Sequence, residues 1–211
     1  EVRCEPGERS GVGQSKCEKC QPGTYASEAG SMTCELCEAG KFAEKPGTSA
    51  CDECPAGKYA ATDGSTMCSI ANAGSYASKK GSSEQETCKA GTISSPGQSK
   101  CAKCPAGSFA AEDGSSSCTL ANAGSYVAKD GASSQALCDA GTISGAGQSS
   151  CDKCPAGSFA PKKGSTSCVR ADAGSYVATD GASQQEPCKA GTLSGAGQTS
   201  CDLSPAGSYV P

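Results

Sequence analysis

Eighteen cysteines recur along this 211-residue chain with a spacing so regular that it divides the sequence into short units. The units contain 16 or 17 residues and open at a cysteine or its replacement, at positions 4, 20, 37, 54, 71, 88, 104, 121, 138, 154, 171, 188 and 204. We number them repeats 1 to 12, followed by a fragment that opens at Ser204. So short a period predicts one continuous array of small local structures over residues 4–211, in which each repeat depends on its neighbours.

The cysteines disappear in pairs, and this joint loss indicates which cysteines are bonded. If the opening cysteine of a repeat bonds the closing one, replacement of one partner strands the other, so both are expected to be lost together. Three repeats show this double loss, at Ala71 with Gln85, Ala121 with Gln135, and Ala171 with Gln185. The pattern therefore predicts nine disulfides, which are Cys4–Cys17, Cys20–Cys34, Cys37–Cys51, Cys54–Cys68, Cys88–Cys101, Cys104–Cys118, Cys138–Cys151, Cys154–Cys168 and Cys188–Cys201.

Zinc ribbons and redox-active pairs also use cysteines with two residues between them, as Cys17 and Cys20 have. Under either of those pairings, the three double replacements would leave cysteines such as Cys118 and Cys138 without their neighbours. Histidine, the usual substitute zinc ligand, is absent from the chain. The spacing therefore favours structural disulfides, and we expect no metal and no cofactor.

The chain is too poor in large apolar residues to fold around a conventional core. Leu, Ile, Val and Phe make about 8% of the sequence and Trp is absent, whereas chains below roughly 20% tend to be disordered. Each predicted disulfide closes a loop of about 15 residues, which stabilises the fold by roughly 3 kcal/mol in the chain-entropy model. We therefore predict a small disulfide-rich fold, mostly β-turns and short β-hairpins, in an elongated tandem-repeat rod with no large hydrophobic core. Because disulfides persist in oxidising surroundings, an extracellular location is expected, either secreted or at the cell surface.

Glycine occupies the third position after every opening residue, and a second glycine lies nine or ten positions after the opening. Pro or Ala before the first glycine predicts a type II turn, in which the glycine takes a positive φ. We interpret Asp-Gly pairs such as Asp113-Gly114 and Asp130-Gly131 as tight hairpin corners at the second glycine. Aromatic residues lie five positions after an opening, as Tyr126 does, and are predicted to fill a small apolar cluster beside each disulfide.

A longer period is superimposed on the short one. From position 88 the pattern repeats every 50 residues, so residues 88–137 and 138–187 form two full super-repeats and 188–211 a partial one. The repeats without cysteines recur once in each period. If a constant rotation brings every third repeat into line, a cysteine-free face recurs along one edge. We predict that this face contacts a neighbouring chain or carries glycan, and its residues are Ala71, Gln85, Ala121, Gln135, Ala171 and Gln185.

The sequence lacks the residues of the commoner catalytic and binding sites. Without histidine no nucleophile–base pair is evident, and no paired carboxylates stand out from the scattered acids, so we do not predict an enzyme. A net charge of −4 does not favour nucleic acid, and no apolar run is long enough for a membrane span. Serine and threonine crowd the second turn, as in Ser115 to Ser117. O-linked sugar is a candidate there, beside plain turn-forming serine.

The unit C-x-[PA]-G-x-[YF], closed by C-x2-C, resembles the ephrin-receptor-like cysteine-rich repeat and the first submodule of tumour necrosis factor receptor cysteine-rich domains. The best matching stretches are CPAGKYAATDGSTMC from Cys54 and CPAGSFAAEDGSSSC from Cys104. In those families the first cysteine of such a unit bonds the one that closes it, so the resemblance implies the same pairing. This sequence departs from the receptors in lacking the longer submodules with crossed disulfides.

Long uniform arrays of this kind also resemble those of extracellular fibre proteins of microbial eukaryotes, including the mastigoneme subunits of algal flagella. That resemblance and the 50-residue period favour a structural protein that builds or bridges a filament or cell-surface coat. Its expected partners are copies of itself or other filament and coat proteins. The alternative is the stalk or ligand-binding region of a receptor-like ectodomain. We expect the chain to be a piece of a longer secreted protein.

Overall fold

The computed structural model describes residues 3–205, and within them the chain forms two-residue strands joined by turns, with no helix. The predicted turn at Gly207, the aromatic position Tyr209 and the end of the partial super-repeat lie outside the described residues. The strands are β1 (Glu8–Arg9), β2 (Glu18–Lys19), β3 (Thr24–Tyr25), β4 (Glu35–Leu36), β5 (Lys41–Phe42), β6 (Asp52–Glu53), β7 (Lys58–Tyr59), β8 (Ser69–Ile70), β9 (Ser75–Tyr76), β10 (Glu86–Thr87), β11 (Thr92–Ile93), β12 (Ala102–Lys103), β13 (Ser108–Phe109), β14 (Thr119–Leu120), β15 (Ser125–Tyr126), β16 (Ala136–Leu137), β17 (Thr142–Ile143), β18 (Asp152–Lys153), β19 (Ser158–Phe159), β20 (Val169–Arg170), β21 (Ser175–Tyr176), β22 (Glu186–Pro187), β23 (Thr192–Leu193) and β24 (Asp202–Leu203).

Each repeat contributes one strand pair, formed by an odd-numbered strand and the strand that follows it. In repeat 8 the antiparallel pair β15 and β16 places Ser125 opposite Leu137 and Tyr126 opposite Ala136. The closing residue Gln135 comes directly before β16, so residues 127–135 form the loop between the two strands. The predicted small, disulfide-rich tandem-repeat fold of turns and short hairpins is confirmed.

The first glycine of each repeat lies in a type II turn. In repeat 8 the Ser125 amide donates to the Asn122 carbonyl at 2.9 Å, and Gly124 between them has a φ of 79°. No described residue other than glycine has a positive φ, so Ala123 at the preceding position keeps a negative one. That combination distinguishes a type II turn from its I′ relative.

The second glycine does not form the predicted tight hairpin corner. A type I′ corner needs a positive φ at both central residues, but of Asp130 and Gly131 only the glycine has one, at 76°. The turn lies inside the loop between the strands instead of joining them directly. A hydroxyl closes the equivalent turn of repeat 7, where Ser115 Oγ donates to the Glu112 carbonyl at 2.7 Å.

The buried core consists of small side chains instead of aromatic rings. The opening residue is buried in repeats 1 to 11 whether it is cysteine or alanine, and Cys104 and Ala121 are both 0% exposed. The sixth residue after the opening is also buried in repeats 2 to 12, as Val127 is in repeat 8. The aromatic ring of Tyr126, directly before it, is only half-buried. The prediction of an aromatic cluster is therefore wrong, because successive residues of a strand point to opposite sides.

The chain divides into two compact bodies. The first is made of residues 1–102 and 112–117, and the second of residues 103–111 and 118–211. Successive repeats are joined in the same way inside each body. The Gly40 amide donates to the Ala60 carbonyl at 2.8 Å in the first, and the Gly124 amide to the Ser144 carbonyl at 2.9 Å in the second. The boundaries of the 50-residue super-repeats stay a prediction from the sequence.

Candidate functional site

Backbone groups of each repeat bind the repeats before and after it. In repeat 8 the Val127 amide donates to the Gln148 carbonyl of repeat 9 at 3.1 Å. The Gly131 amide donates backwards, to the Cys104 carbonyl of repeat 7 at 2.7 Å. Because a backbone amide withdrawn from water needs a partner, a repeat has its hydrogen bonds completed only beside its neighbours.

The first glycine of a repeat also lies against the second glycine of the repeat two places further on. A β-carbon on Gly141 of repeat 9 would overlap the carbonyl oxygen of Gly181 in repeat 11. The same contact recurs inside both bodies, for example between Gly40 and Gly81. The first glycine is therefore required by this close approach as well as by its turn. The sequence pattern indicated only the turn.

The aspartates of the Asp-Gly pairs join neighbouring repeats. Each accepts a hydrogen bond on Oδ1 from a backbone amide of the preceding repeat, so the carboxylate supplies an acceptor that the backbone lacks at that point. The Asp-Gly pattern predicted a turn here but no contact between repeats. The four contacts are Asp63 with Ala39, Asp113 with Ala90 and Asp130 with Ala106, each at 2.8 Å, and Asp180 with Ala156 at 2.9 Å.

Two ion pairs occupy equivalent places between repeats but carry opposite charge order. Lys89 of repeat 6 contacts Asp113 of repeat 7 at 3.0 Å. Asp139 of repeat 9 contacts Lys163 of repeat 10 at 2.9 Å. The hydrogen bond from Lys89, together with the amide bond from Ala90, holds the pKa of the Asp113 carboxyl below its ordinary value. Both pairs are exposed and contribute little to stability. Their reversed order shows that the two positions can carry lysine and aspartate either way round, as long as the charges are opposite.

The structure contains nine disulfides in the same nine pairs that the joint loss of cysteines predicts. Each joins the opening and closing residue of one repeat, and no described cysteine is free. In repeat 7, Cys104 is buried and Cys118 half-buried, with Cα atoms 5.7 Å apart, inside the usual range for a disulfide. The bridge thus fastens the loop to the buried side of its own repeat.

In the three repeats without cysteines, the closing glutamine replaces the disulfide with a hydrogen bond. Its Oε1 accepts from the backbone amide of the residue that follows the opening alanine, so the loop is closed at the same place by a weaker link. The sequence pattern did not indicate this role, although glutamine recurs at the closing position of all three repeats. The three contacts are Asn72 with Gln85, Asn122 with Gln135, and Asp172 with Gln185, each at 2.7 Å.

The predicted contact or glycan face is wrong for its three alanines. Ala71 and Ala121 are 0% exposed and Ala171 is 1% exposed, so none of them is available to a neighbouring chain or a sugar. They are buried because the opening position belongs to the core whichever residue fills it. The three glutamines are half-buried, with Oε1 already bound to the backbone.

A buried serine adds a second link to each cysteine-free repeat. Ser144 of repeat 9 is 2% exposed, and its hydroxyl donates to the Ser125 carbonyl of repeat 8 at 2.8 Å. Ser94 and Ser194 make the equivalent bonds to Ser75 and Ser175. The sequence signal was available, because each repeat that follows a cysteine-free one carries serine at its sixth position, where several others carry alanine or valine.

Three half-buried tyrosines are tied to the strand opposite them. Tyr76 donates its hydroxyl to Glu86 at 2.9 Å, and this hydrogen bond raises the pKa of the phenol above its ordinary value. Tyr25 with Glu35 and Tyr176 with Glu186 repeat the arrangement, at 2.9 and 2.8 Å, with the same upward shift of the tyrosine pKa. The tyrosine at the aromatic position thus links the two strands of its own repeat by a side-chain hydrogen bond.

The described side chains make contacts that hold repeats in register. Among residues 3–205, no group of three or more His, Cys, Asp or Glu side chains is placed to hold a metal ion. The described part of the chain also contains no helix with the length and apolar character that a membrane crossing requires.

Comparison with protein families gives one match. Residues 7–50, 91–138 and 141–188, together 140 of 211 residues, match the family described as tyrosine-protein kinase ephrin type A/B receptor-like. The second and third matched segments begin 50 residues apart. Repeats of this family are a structural, non-catalytic domain type. No curated protein matches the chain in sequence.

Proposed function

The chain belongs to the ephrin type A/B receptor-like family, and from that premise we propose that it is a structural segment of an extracellular protein. Its role is to build or bridge a filament or a cell-surface coat, as the arrays of mastigoneme subunits do. Its partners are copies of itself or other proteins of that filament or coat.

The observation that carries this proposal is that backbone groups of each repeat are bound by the repeats before and after it. The amide of Gly124 reaches forward to repeat 9, the amide of Gly131 reaches back to repeat 7, and Gly124 itself lies against Gly164 of repeat 10. The same contacts recur from repeat to repeat inside each body. Such regularly repeated contacts are typical of structural repeat proteins and support a structural role.

The cysteine chemistry supports the extracellular part of the proposal. Nine disulfides with no free thiol among the described residues need an oxidising compartment to form and persist. The core of small side chains, such as Ala121 and Val127, is too slight to replace them.

Sugar is proposed on the exposed hydroxyls of the second turn. In repeat 7, Ser116 and Ser117 are exposed, whereas Ser115 is committed to the Glu112 carbonyl. Intact mass of the secreted protein, followed by peptide mapping, is expected to place O-linked hexose or pentose on Ser116 or Ser117 and none on Ser115. An unmodified mass contradicts this part of the proposal alone.

Immunogold electron microscopy tests the structural role. Antibodies raised against the oxidised chain are expected to label fibres or a coat outside the cell, at regular intervals along the fibre. Label spread evenly over the plasma membrane, with fibres and coat unlabelled, overturns the proposal.

The family match favours a second candidate, the stalk or ligand-recognition region of a receptor-like ectodomain. Surface-binding assays with the oxidised chain distinguish the two. A discrete soluble ligand that binds saturably and with high affinity reverses the ranking, whereas assembly with itself or with coat proteins supports the structural role.

A further inference from the structure

The repeats of this chain are closed in two mechanically different ways. In repeat 7, a pull on the chain passes through the Cys104–Cys118 bridge and bypasses the loop between them, a sequence separation of 14. In repeat 8, the corresponding closure is the hydrogen bond from the Asn122 amide to Gln135 Oε1 at 2.7 Å. The covalent link holds until it is chemically reduced, whereas the hydrogen bond breaks and re-forms without chemistry.

Long stretches without a covalent shortcut occur at the cysteine-free repeats. Between neighbouring disulfides elsewhere among the described residues, only two residues separate one cysteine from the next, as between Cys101 and Cys104. Each cysteine-free repeat instead lies within a 20-residue span from one cysteine to the next. These spans are Cys68–Cys88, Cys118–Cys138 and Cys168–Cys188.

Non-covalent contacts are all that hold such a span in place. For repeat 8 they include the glutamine–amide bond and the Ser144 hydroxyl on the Ser125 carbonyl at 2.8 Å. They also include backbone bonds to both neighbours, such as those from the Val127 amide to Gln148 of repeat 9 and from the Gly131 amide to Cys104 of repeat 7. These bonds are similar in number and kind in the equivalent repeats 5 and 11.

We propose that the three cysteine-free repeats are extensible elements, which unfold reversibly under tension while the disulfide-closed repeats stay short. This inference rests on the proposed structural role for its biological use, and on the geometry alone for the mechanical behaviour. An extended residue spans at most about 3.3–3.6 Å, so each 20-residue span reaches about 70 Å when pulled straight. The three equal spans begin 50 residues apart, at Cys68, Cys118 and Cys168, so the extension is distributed at regular intervals over residues 68–188.

Single-molecule force spectroscopy on the oxidised 211-residue chain, held between fused protein handles, tests the proposal. The expected record contains three extension events of similar size, each smaller than about 70 Å by the folded span. The events are expected to return after relaxation, because no covalent bond is broken.

The double variant Ala121→Cys/Gln135→Cys provides the decisive comparison. Peptide mapping first verifies a tenth disulfide beside the nine native ones, which shows that the variant has folded. The new disulfide takes 14 residues out of the extensible chain and replaces them with a Cα–Cα distance like the 5.7 Å of repeat 7. One of the three events is therefore expected to be about 45 Å shorter. The matched variant Gln135→Ala keeps all three events at full size, with one of them at lower force.

Three full-size events in the bridged variant overturn the proposal, as does an oxidised wild-type chain that shows no discrete extension. Neither outcome bears on immunogold labelling of fibres, so failure of the mechanical inference and failure of the structural role are separately visible.

Discussion

Two glycines of repeat 9 differ in whether the fold has room for a side chain at their position. Gly141 has a φ of 89° and lies against the Gly181 carbonyl of repeat 11. Gly145, four residues later, has no positive φ and no atom within 4 Å of the place where its β-carbon would be. Glycine is therefore required at position 141 by both the turn and the close contact, whereas neither requires it at position 145.

We expect Gly141→Ala to lower the free energy of unfolding by about 2–4 kcal/mol, because a positive φ costs a residue with a side chain about 1–3 kcal/mol and the overlap with Gly181 adds to it. Gly145→Ala is the matched control, and it is expected to raise stability by up to about 1 kcal/mol by restricting the unfolded chain. Urea unfolding of the two oxidised variants measures the difference. Equal effects would contradict the close approach of repeats 9 and 11.

The carboxyl group of Asp113 makes the stability of the fold depend on pH, so that stability falls in acid. Asp113 has a pKa below its ordinary value of 3.8, chiefly through its hydrogen bond from Lys89. A group whose pKa is lower in the folded state stabilises the fold above its ordinary pKa, and this contribution is lost as the pH falls through the folded pKa.

Asp113→Asn is therefore expected to lower the thermal midpoint near neutral pH, with a difference from wild type that shrinks as the pH falls below 3.8. Thermal unfolding across the acid range measures it. Lys89→Asp/Asp113→Lys keeps the ion pair in the order that Asp139 and Lys163 already use but loses the acceptor of the Ala90 amide, so it is expected to unfold below wild type and to keep the acid dependence. A deficit for Asp113→Asn that is independent of pH would rule out the charge as its cause.

At the scale of the element, one strand pair and its loop form a unit that can be closed in two ways. The loop of repeat 7 is closed by Cys104 and Cys118, and that of repeat 8 by Gln135 on the Asn122 amide. In both, the opening residue is buried and the second strand of the pair follows directly after the closing residue. Closure of the loop, more than the chemistry of the link, is what the unit needs.

Gln135→Ala is expected to increase hydrogen exchange at the Asn122 amide by about fivefold, the factor that corresponds to one net hydrogen bond of about 1 kcal/mol. Gln135→Glu keeps an acceptor oxygen and is expected to preserve most of the protection. The Asn72 amide, bound to Gln85 in repeat 5, serves as the internal reference and should not change. Unaltered exchange at Asn122 in the alanine variant would show that the glutamine does not close the loop.

At the scale of the whole molecule, stability passes from repeat to repeat through short-range links. Contacts from repeat 7 reach repeats 8 and 9, since the Cys104 carbonyl accepts from the Gly131 amide and Gly107 lies against Gly147. Arrays with only nearby contacts behave as a sum of repeat stabilities and interface terms. A local lesion should therefore have a local effect.

Removing one bridge with Cys104→Ala/Cys118→Ala is expected to cost about 2–4 kcal/mol in that repeat. Hydrogen exchange measured by mass spectrometry should show lost protection in repeat 7 and up to two repeats on either side of it, with repeats 11 and 12 unaffected. The matched variant Cys154→Ala/Cys168→Ala should instead lower protection in repeat 10 and up to two repeats on either side of it, with repeats 5 and 6 unaffected. Uniform loss of protection from either variant would indicate a cooperative domain in place of an array.

The repeat boundaries, the turns at the first glycine and a cysteine pairing that closes each repeat on itself all follow from the order of the residues. These features were accessible because each is local: a loop of 13 or 14 residues closes within its own repeat, whatever the neighbouring repeats do. Comparison of repeats within one chain then served as an internal control on the pairing.

Which side chains are buried, and how one repeat contacts the next, became visible from the folded chain. Val127 is buried and Tyr126 is not, Asp130 binds the Ala106 amide of the preceding repeat, and Gln135 takes the place of a disulfide. Each of these depends on the angle and offset at which one repeat stacks on the next. That geometry arises from the sum of many backbone contacts between repeats, so no single repeat encodes it.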